Sequence, residues 1–117
     1  MLESGWTPSE IERRDQCERG LAVVANMRRD HHLIAWARGT GRLVRIDRKS
    51  EWGNPFIIGP DGDRDAVCDR YADRLPHRAQ MMQRIPTLTG KVLLCWCHPA
   101  RCHGHTLAQL ANGGGDL

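Results

Sequence analysis

Leu21-Ala22-Val23-Val24-Ala25-Asn26-Met27-Arg28-Arg29-Asp30-His31-His32-Leu33-Ile34-Ala35-Trp36-Ala37-Arg38-Gly39-Thr40-Gly41-Arg42-Leu43-Val44-Arg45-Ile46 reads as strand, helix, strand. Leu21 to Ala25 is short, apolar and partly β-branched, which suits a strand buried on both faces. Asn26-Met27-Arg28-Arg29 leaves its C-terminal end. Asp30 occupies a helix-start position before His31 to Arg38, where Leu33, Ile34, Trp36 and Ala37 supply an apolar stripe. Gly39-Thr40-Gly41 stops that helix, and Leu43 to Ile46 forms the second strand. Two strands joined through a helix run in the same direction, so the segment predicts a parallel pair.

Working outward, Thr7-Pro8-Ser9-Glu10 combines a capping hydroxyl, a first-turn proline and an early acid. It predicts a charged helix from Ser9 to Glu18, with Ile11 and Cys17 inward, after a flexible terminus at residues 1–8. On the other side, residues 47–63 are rich in Gly, Pro, Asn and Asp and read as a loop. A loop this long in a small domain is usually functional or disordered, and Trp52, Phe56, Ile57 and Ile58 argue against disorder. Asp63 can cap a helix from Arg64 to Leu75, whose Val67, Cys68, Tyr71 and Leu75 share a face. Pro76 breaks it. A further helix runs from His77 to Ile85, Pro86 ends it, and Leu88-Thr89-Gly90 turns into a last strand, Lys91 to Trp96. A final helix covers about Cys102 to Asn112, and residues 113–117 are a flexible tail. The expectation is a single α/β domain over 9–112: a small three-layer, Rossmann-like arrangement of about three short parallel strands flanked by helices. Ligands of such sheets sit beyond the C-terminal strand ends. Asn26, the 47–63 loop and the Cys95–His105 loop should therefore meet at one rim.

The chain has 117 residues, enough for one modest core. It is 40% hydrophobic and 26% charged, as an ordinary soluble domain is. No apolar run approaches a membrane span, and Met1-Leu2-Glu3-Ser4-Gly5-Trp6 lacks the regions of a signal peptide. A cytoplasmic protein with no membrane partner is expected. Its five cysteines are an odd count, which argues against a disulfide framework and for metal binding, chemistry or plain burial. The net charge of +3 is carried mainly by arginine, which suits either a nucleotide or nucleic-acid partner or a mildly basic solvated surface.

Three of the cysteines and three of the six histidines fall between Cys95 and His105. Cys95 and Cys97 are two apart at a strand end and should point the same way. With Cys102 and His103 they could make a tetrahedral zinc site, although C-x-C is not the usual zinc spacing. An anion site is the second reading. Cys102, His103 and Gly104 open a helix, whose free N–H groups and dipole favour phosphate and would lower the Cys102 pKa, with Arg101 beside them. The third reading is burial of Cys95 and Cys97 with His103 as a cap. In Trp52-Gly53-Asn54-Pro55-Phe56, Gly and Asn admit a positive φ, Asn54 can read a base or sugar edge, and Trp52 can stack on a base. The same residues also make a turn pinned to the core. Arg64, after Asp61-Gly62-Asp63, can face the same crevice. No Walker loop, dinucleotide-binding glycine fingerprint or HExxH is present.

The order of Trp52-Gly53-Asn54-Pro55-Phe56, Asp61-Gly62-Asp63-Arg64, Gly90-Lys91, Cys95-Trp96-Cys97-His98-Pro99 and Cys102-His103-Gly104 resembles the DUF4326 family over residues 42–112. These are small proteins of bacteriophages and actinobacteria. The resemblance implies a nucleotide-centred role in a phage-type protein, residing in the host-cell cytoplasm if phage-encoded, but supplies no reaction. The resulting expectation is a nucleotide or nucleic-acid component bound by Trp52, Asn54, Arg64, Arg101 and Gly104. Cys102 and His103 are the catalytic candidates if its glycosidic or phosphate bond is attacked. The alternative is a non-catalytic zinc-stabilised module, with Cys95, Cys97, Cys102 and His103 as ligands, that binds a host or phage protein.

Overall fold

The computed structural model describes residues 5–113; the terminal residues 1–4 and 114–117, and the flexible ends expected there, lie outside the described residues. Elements follow one another as α1 (Pro8–Glu18), β1 (Val23–Asn26), α2 (His31–Gly39), β2 (Leu43–Arg45), α3 (Arg64–Arg74), α4 (Ala79–Arg84), β3 (Val92–Cys95) and α5 (His103–Ala111). The three strands form one parallel sheet in the order β1-β3-β2. Val24, Leu93 and Val44 share one register row, and Asn26 lies beside Cys95.

The sequence predicts β1 and β2 as a pair, but β3 stands between them. The reason is burial. β3 is buried at all four positions, whereas β2 is half-buried and ends on the exposed Arg45, as an edge strand can. β1 is also at an edge, and side chains cover that edge. Arg13 Nη1 donates to Val24 O at 2.8 Å, and Asn112 accepts from Ala22 N at 2.7 Å and donates to Ala22 O at 3.0 Å.

Alternation along the strands separates two cores. Val24, Leu93 and Cys95 face Trp52, Tyr71, Leu75, Leu88 and Leu107 from the α3, α4 and α5 side. Val23, Ala25, Val92 and Leu94 face Cys17, Leu33, Ile34 and Ala37 from α1 and α2. Helices thus cover both faces of the sheet, in three layers.

The helix expected over His77–Ile85 is a staircase instead. A 3-10 turn, Leu75–His77, precedes α4, and a second, Ile85–Leu88, follows it. Pro76 and Pro86 each fall in the first turn of one of these 3-10 segments, and neither can donate the hydrogen bond that a continuous α-helix would need there. Among the described residues no helix is long and apolar enough to cross a membrane.

Candidate functional site

The C-terminal ends of β2 and β3 open onto a cavity of about 550 Å³. Asp47, Arg48 and Lys49 enter it from the residues after β2, and Cys95, Trp96 and Cys97 from the end of β3. Arg101, Cys102 and His103 come from the approach to α5, and Arg64, Val67 and Cys68 from α3. Asn54, Phe56, Ile57 and Ile58 close it from the loop. The expected rim is therefore one place, and Asn54, Arg64, Arg101, Cys102 and His103 are brought together there.

Asn26, expected at the same rim, does not line the cavity but braces it. Its Nδ2 donates to Trp96 O at 3.1 Å and His98 O at 2.6 Å, which ties the loop after β3 to the end of β1. Trp52 is elsewhere. It is buried in the core, and its carbonyl accepts from the Tyr71 hydroxyl at 2.8 Å, so its indole does not line the cavity. Gly104 is also a packing residue. A Cβ there would sit 2.6 Å from Ile46 Cδ1, 3.2 Å from Cys102 Sγ and 3.4 Å from Val24 Cγ1, so the glycine lets α5 close onto Ile46 and β1.

The loop is built by its own polar groups. Asn54 Oδ1 accepts from Phe56 N at 2.9 Å, and Asn54 Nδ2 donates to Val67 O at 3.1 Å, which fastens the turn to α3. Gly53 does not have a positive φ. Its role is close approach, because a Cβ would lie 2.7 Å from both Arg48 Cα and Asp47 O.

The sulfur pair has a definite polarity. Cys102 Sγ donates to Cys95 Sγ at 3.5 Å, and His98 N donates to the same sulfur at 3.5 Å. The bond from Cys102, with the backbone N–H groups of His98 and Cys97, outweighs burial and lowers the Cys95 thiol to about 6. The expectation that the helix start would lower Cys102 is reversed. Its thiol is pushed far up, first because it is the donor to Cys95 and then by burial, and the Gly104 N–H offsets little of this. Cys95 is therefore the thiolate and Cys102 keeps its proton. Cys68, read as core, is buried but also reaches the cavity wall, and burial raises its thiol.

The histidines have assigned tautomers. His103 Nε2 donates to Ile46 O at 2.6 Å, leaving Nδ1 as the acceptor nitrogen, and its ring meets Tyr71 edge-on at 4.9 Å. Burial lowers its pKa, so it is neutral near pH 7. Cys102 N donates to His105 Nδ1 at 3.1 Å, so the proton of His105 sits on Nε2 and is given to His98 Nδ1 at 3.0 Å. Burial lowers both of these pKa values as well.

The cations are held in different ways. Arg101 pairs with Asp69 at 2.7 Å and Asp65 at 3.1 Å, and its carbonyl accepts from Arg64 Nη1 at 3.3 Å. Arg64 also lies against the Cys97 thiol. Of the four residues expected to hold zinc, Cys95 and Cys102 touch, Cys97 sits beside Arg64, and His103 uses Nε2 on a carbonyl. Among the described residues no group of three or more His, Cys, Asp or Glu side chains is placed to hold a metal ion.

Sequence reading missed Asp47, Arg48, Lys49 and Trp96 as site residues. Their signal is position: Trp96 directly follows β3, and Asp47, Arg48 and Lys49 lie within four residues of the C-terminal end of β2. Asp47 is 8% exposed; its Oδ2 pairs with Arg45, while its Oδ1 is the one buried side-chain nitrogen or oxygen among the described residues without a hydrogen-bond partner.

Residues 26–113 match the model of a domain of unknown function, DUF4326. Over 69 residues the chain is 35% identical to an uncharacterised protein of Acanthamoeba polyphaga mimivirus, covering 52% of each. The chain thus spans about half the length of the curated relative it matches. No solved structure matches.

Proposed function

We propose a function for a chain that belongs to the DUF4326 family: it binds a nucleotide or nucleic-acid component in the crevice beyond the strand ends. The observation that carries this reading is the make-up of the wall. Arg48, Lys49 and Arg64, beside an Arg101 already paired with Asp65 and Asp69, supply positive charge to a cavity whose other sides are Phe56, Ile57, Ile58 and Trp96. Cations suit a phosphate, and flat apolar surface suits a base. A volume of about 550 Å³ is in the range of small-molecule sites.

If the ligand is turned over at its glycosidic or phosphate bond, the groups within the cavity are the Cys95–Cys102 pair and His103 through Nδ1. Cys95 carries the nucleophilic form, Cys102 the proton, and neutral His103 the free base. Titration calorimetry with nucleoside monophosphates tests the binding. Arg64→Ala should weaken it about tenfold, and higher salt should weaken it further. Absence of affinity at millimolar concentration for every nucleoside monophosphate tried would sink the reading.

A second reading, a zinc-stabilised module that binds a host or phage protein, has one supporting observation: two sulfurs already stand side by side. Stoichiometric zinc in the purified protein, lost together with the fold in Cys95→Ser and Cys102→Ser, would favour it over the first.

A further inference from the structure

The geometry points to Asp47 as the acceptor that selects a ligand bearing an N–H or O–H donor, and so sets which way round the ligand lies in the crevice. This rests on the nucleotide reading above and deepens it. Asp47 is the second residue past β2, and its side chain is more than nine-tenths buried. One carboxylate oxygen is satisfied by Arg45, and the other has no hydrogen-bond partner, although the Trp96 side chain stands close enough to the carboxylate to favour its charged form. A buried carboxylate oxygen left without a donor is costly, and buried polar atoms are nearly always paired. Asp47 also lines the cavity, so a donor on whatever fills that cavity is the available partner.

The charge distribution fixes the other end. Arg45 holds the Asp47 carboxyl below the usual carboxylate range, so it is an anion at neutral pH and repels a phosphate. Arg64 approaches the cavity from α3, while the guanidinium of Arg101 is already engaged by Asp65 and Asp69. The ligand is thus two-ended, with an anionic group toward Arg64 and a hydrogen-bond donor on Asp47 Oδ1. In a nucleotide the donor is an exocyclic amine of the base, a ring N–H such as that of uracil, or a ribose hydroxyl.

The test is calorimetric binding to the full chain of CMP, UMP, AMP, IMP and 2′-deoxy-CMP. A base amine on Asp47 makes CMP bind at least tenfold tighter than UMP, and AMP tighter than IMP. A ribose hydroxyl on Asp47 instead makes CMP bind at least tenfold tighter than its 2′-deoxy form. In Asp47→Asn the amide oxygen must serve Arg45, which turns the amino group to the cavity. The base preference should then reverse in favour of UMP and IMP, and a hydroxyl preference should fall to about twofold or less. Should that variant fail to fold by circular dichroism, the double variant Arg45→Ala with Asp47→Ala removes both charges and should abolish either preference.

Equal affinity for all five probes in the wild type overturns the role of Asp47 and leaves nucleotide binding standing. A preference that persists unchanged in the variants does the same. If none of the five binds, the nucleotide reading falls, and the inference falls with it.

Discussion

At the scale of single residues, the site turns on where protons sit. Cys95 and Cys102 are chemically alike, yet the direction of one S–H bond makes the first a thiolate and the second a thiol. A thiolate absorbance step centred near pH 6 is expected in the wild type and should be absent in Cys95→Ala. In Cys102→Ala, which removes the donor, that step should move to higher pH. The same groups shape stability. The folded pKa of Cys95 lies below the ordinary thiol value of 9.0, so its contribution is full above that value and is lost as pH falls toward about 6. His98, His103 and His105 have folded values below the ordinary 6.5, so the unfolded chain takes up protons first as pH falls through that value. Both effects slope the same way. The urea midpoint should be lower at about pH 5.5 than at about pH 8. The cysteine cluster was legible from spacing alone. Which sulfur holds the proton was not, because that depends on backbone N–H groups and burial that appear only when the loop after β3 closes.

At the scale of elements, local signals were read well where they act locally. Thr7-Pro8-Ser9-Glu10 starts α1 through a capping box, and Asp63 caps α3 by accepting from Ala66 N at 2.9 Å. Asp30 stands at the start of α2 but does not cap it. Its carboxylate is used by Arg13 at 2.9 Å and Asn26 N at 2.7 Å, partners that sequence distance conceals. Glu10 likewise has a second task. Its Oε1 accepts from Thr7 N at 3.1 Å while its Oε2 accepts from Leu33 N at 2.9 Å, joining α1 to α2 beneath a buried surface. Glu10→Ala leaves two backbone donors without that carboxylate and should cost about 2–4 kcal/mol in denaturant unfolding. Thr7→Ala, which loses only the cap, should cost about 1 kcal/mol.

At the scale of the whole molecule, the sheet divides the protein into a face that carries the site and a face that does not. Leu93 and Leu94 are adjacent, fully or almost fully buried, and point to opposite cores. Each change to alanine should cost about 2–5 kcal/mol. Leu93→Ala loosens the core shared with Cys95, Cys102 and Trp52 and should also weaken the proposed nucleotide binding. Leu94→Ala should leave the affinity of the folded fraction close to that of the wild type. The α/β class and the meeting of distant segments at one rim followed from strand-and-helix periodicity and the rule for ligands of parallel sheets. Strand order did not follow, because nothing local to β1, β2 or β3 says which of them is central.

The central place of β3 bears on synthesis. During translation both outer strands leave the ribosome before the middle of the sheet exists, and until then neither has a ladder to join. The nascent chain meets the cell as a precursor whose apolar run from Leu21 to Ala25 is open to chaperones. The residues that line the crevice after β3 follow within a few codons of the strand that completes the sheet. The sheet and the crevice should therefore be completed together, with no partly assembled form able to hold the proposed ligand first.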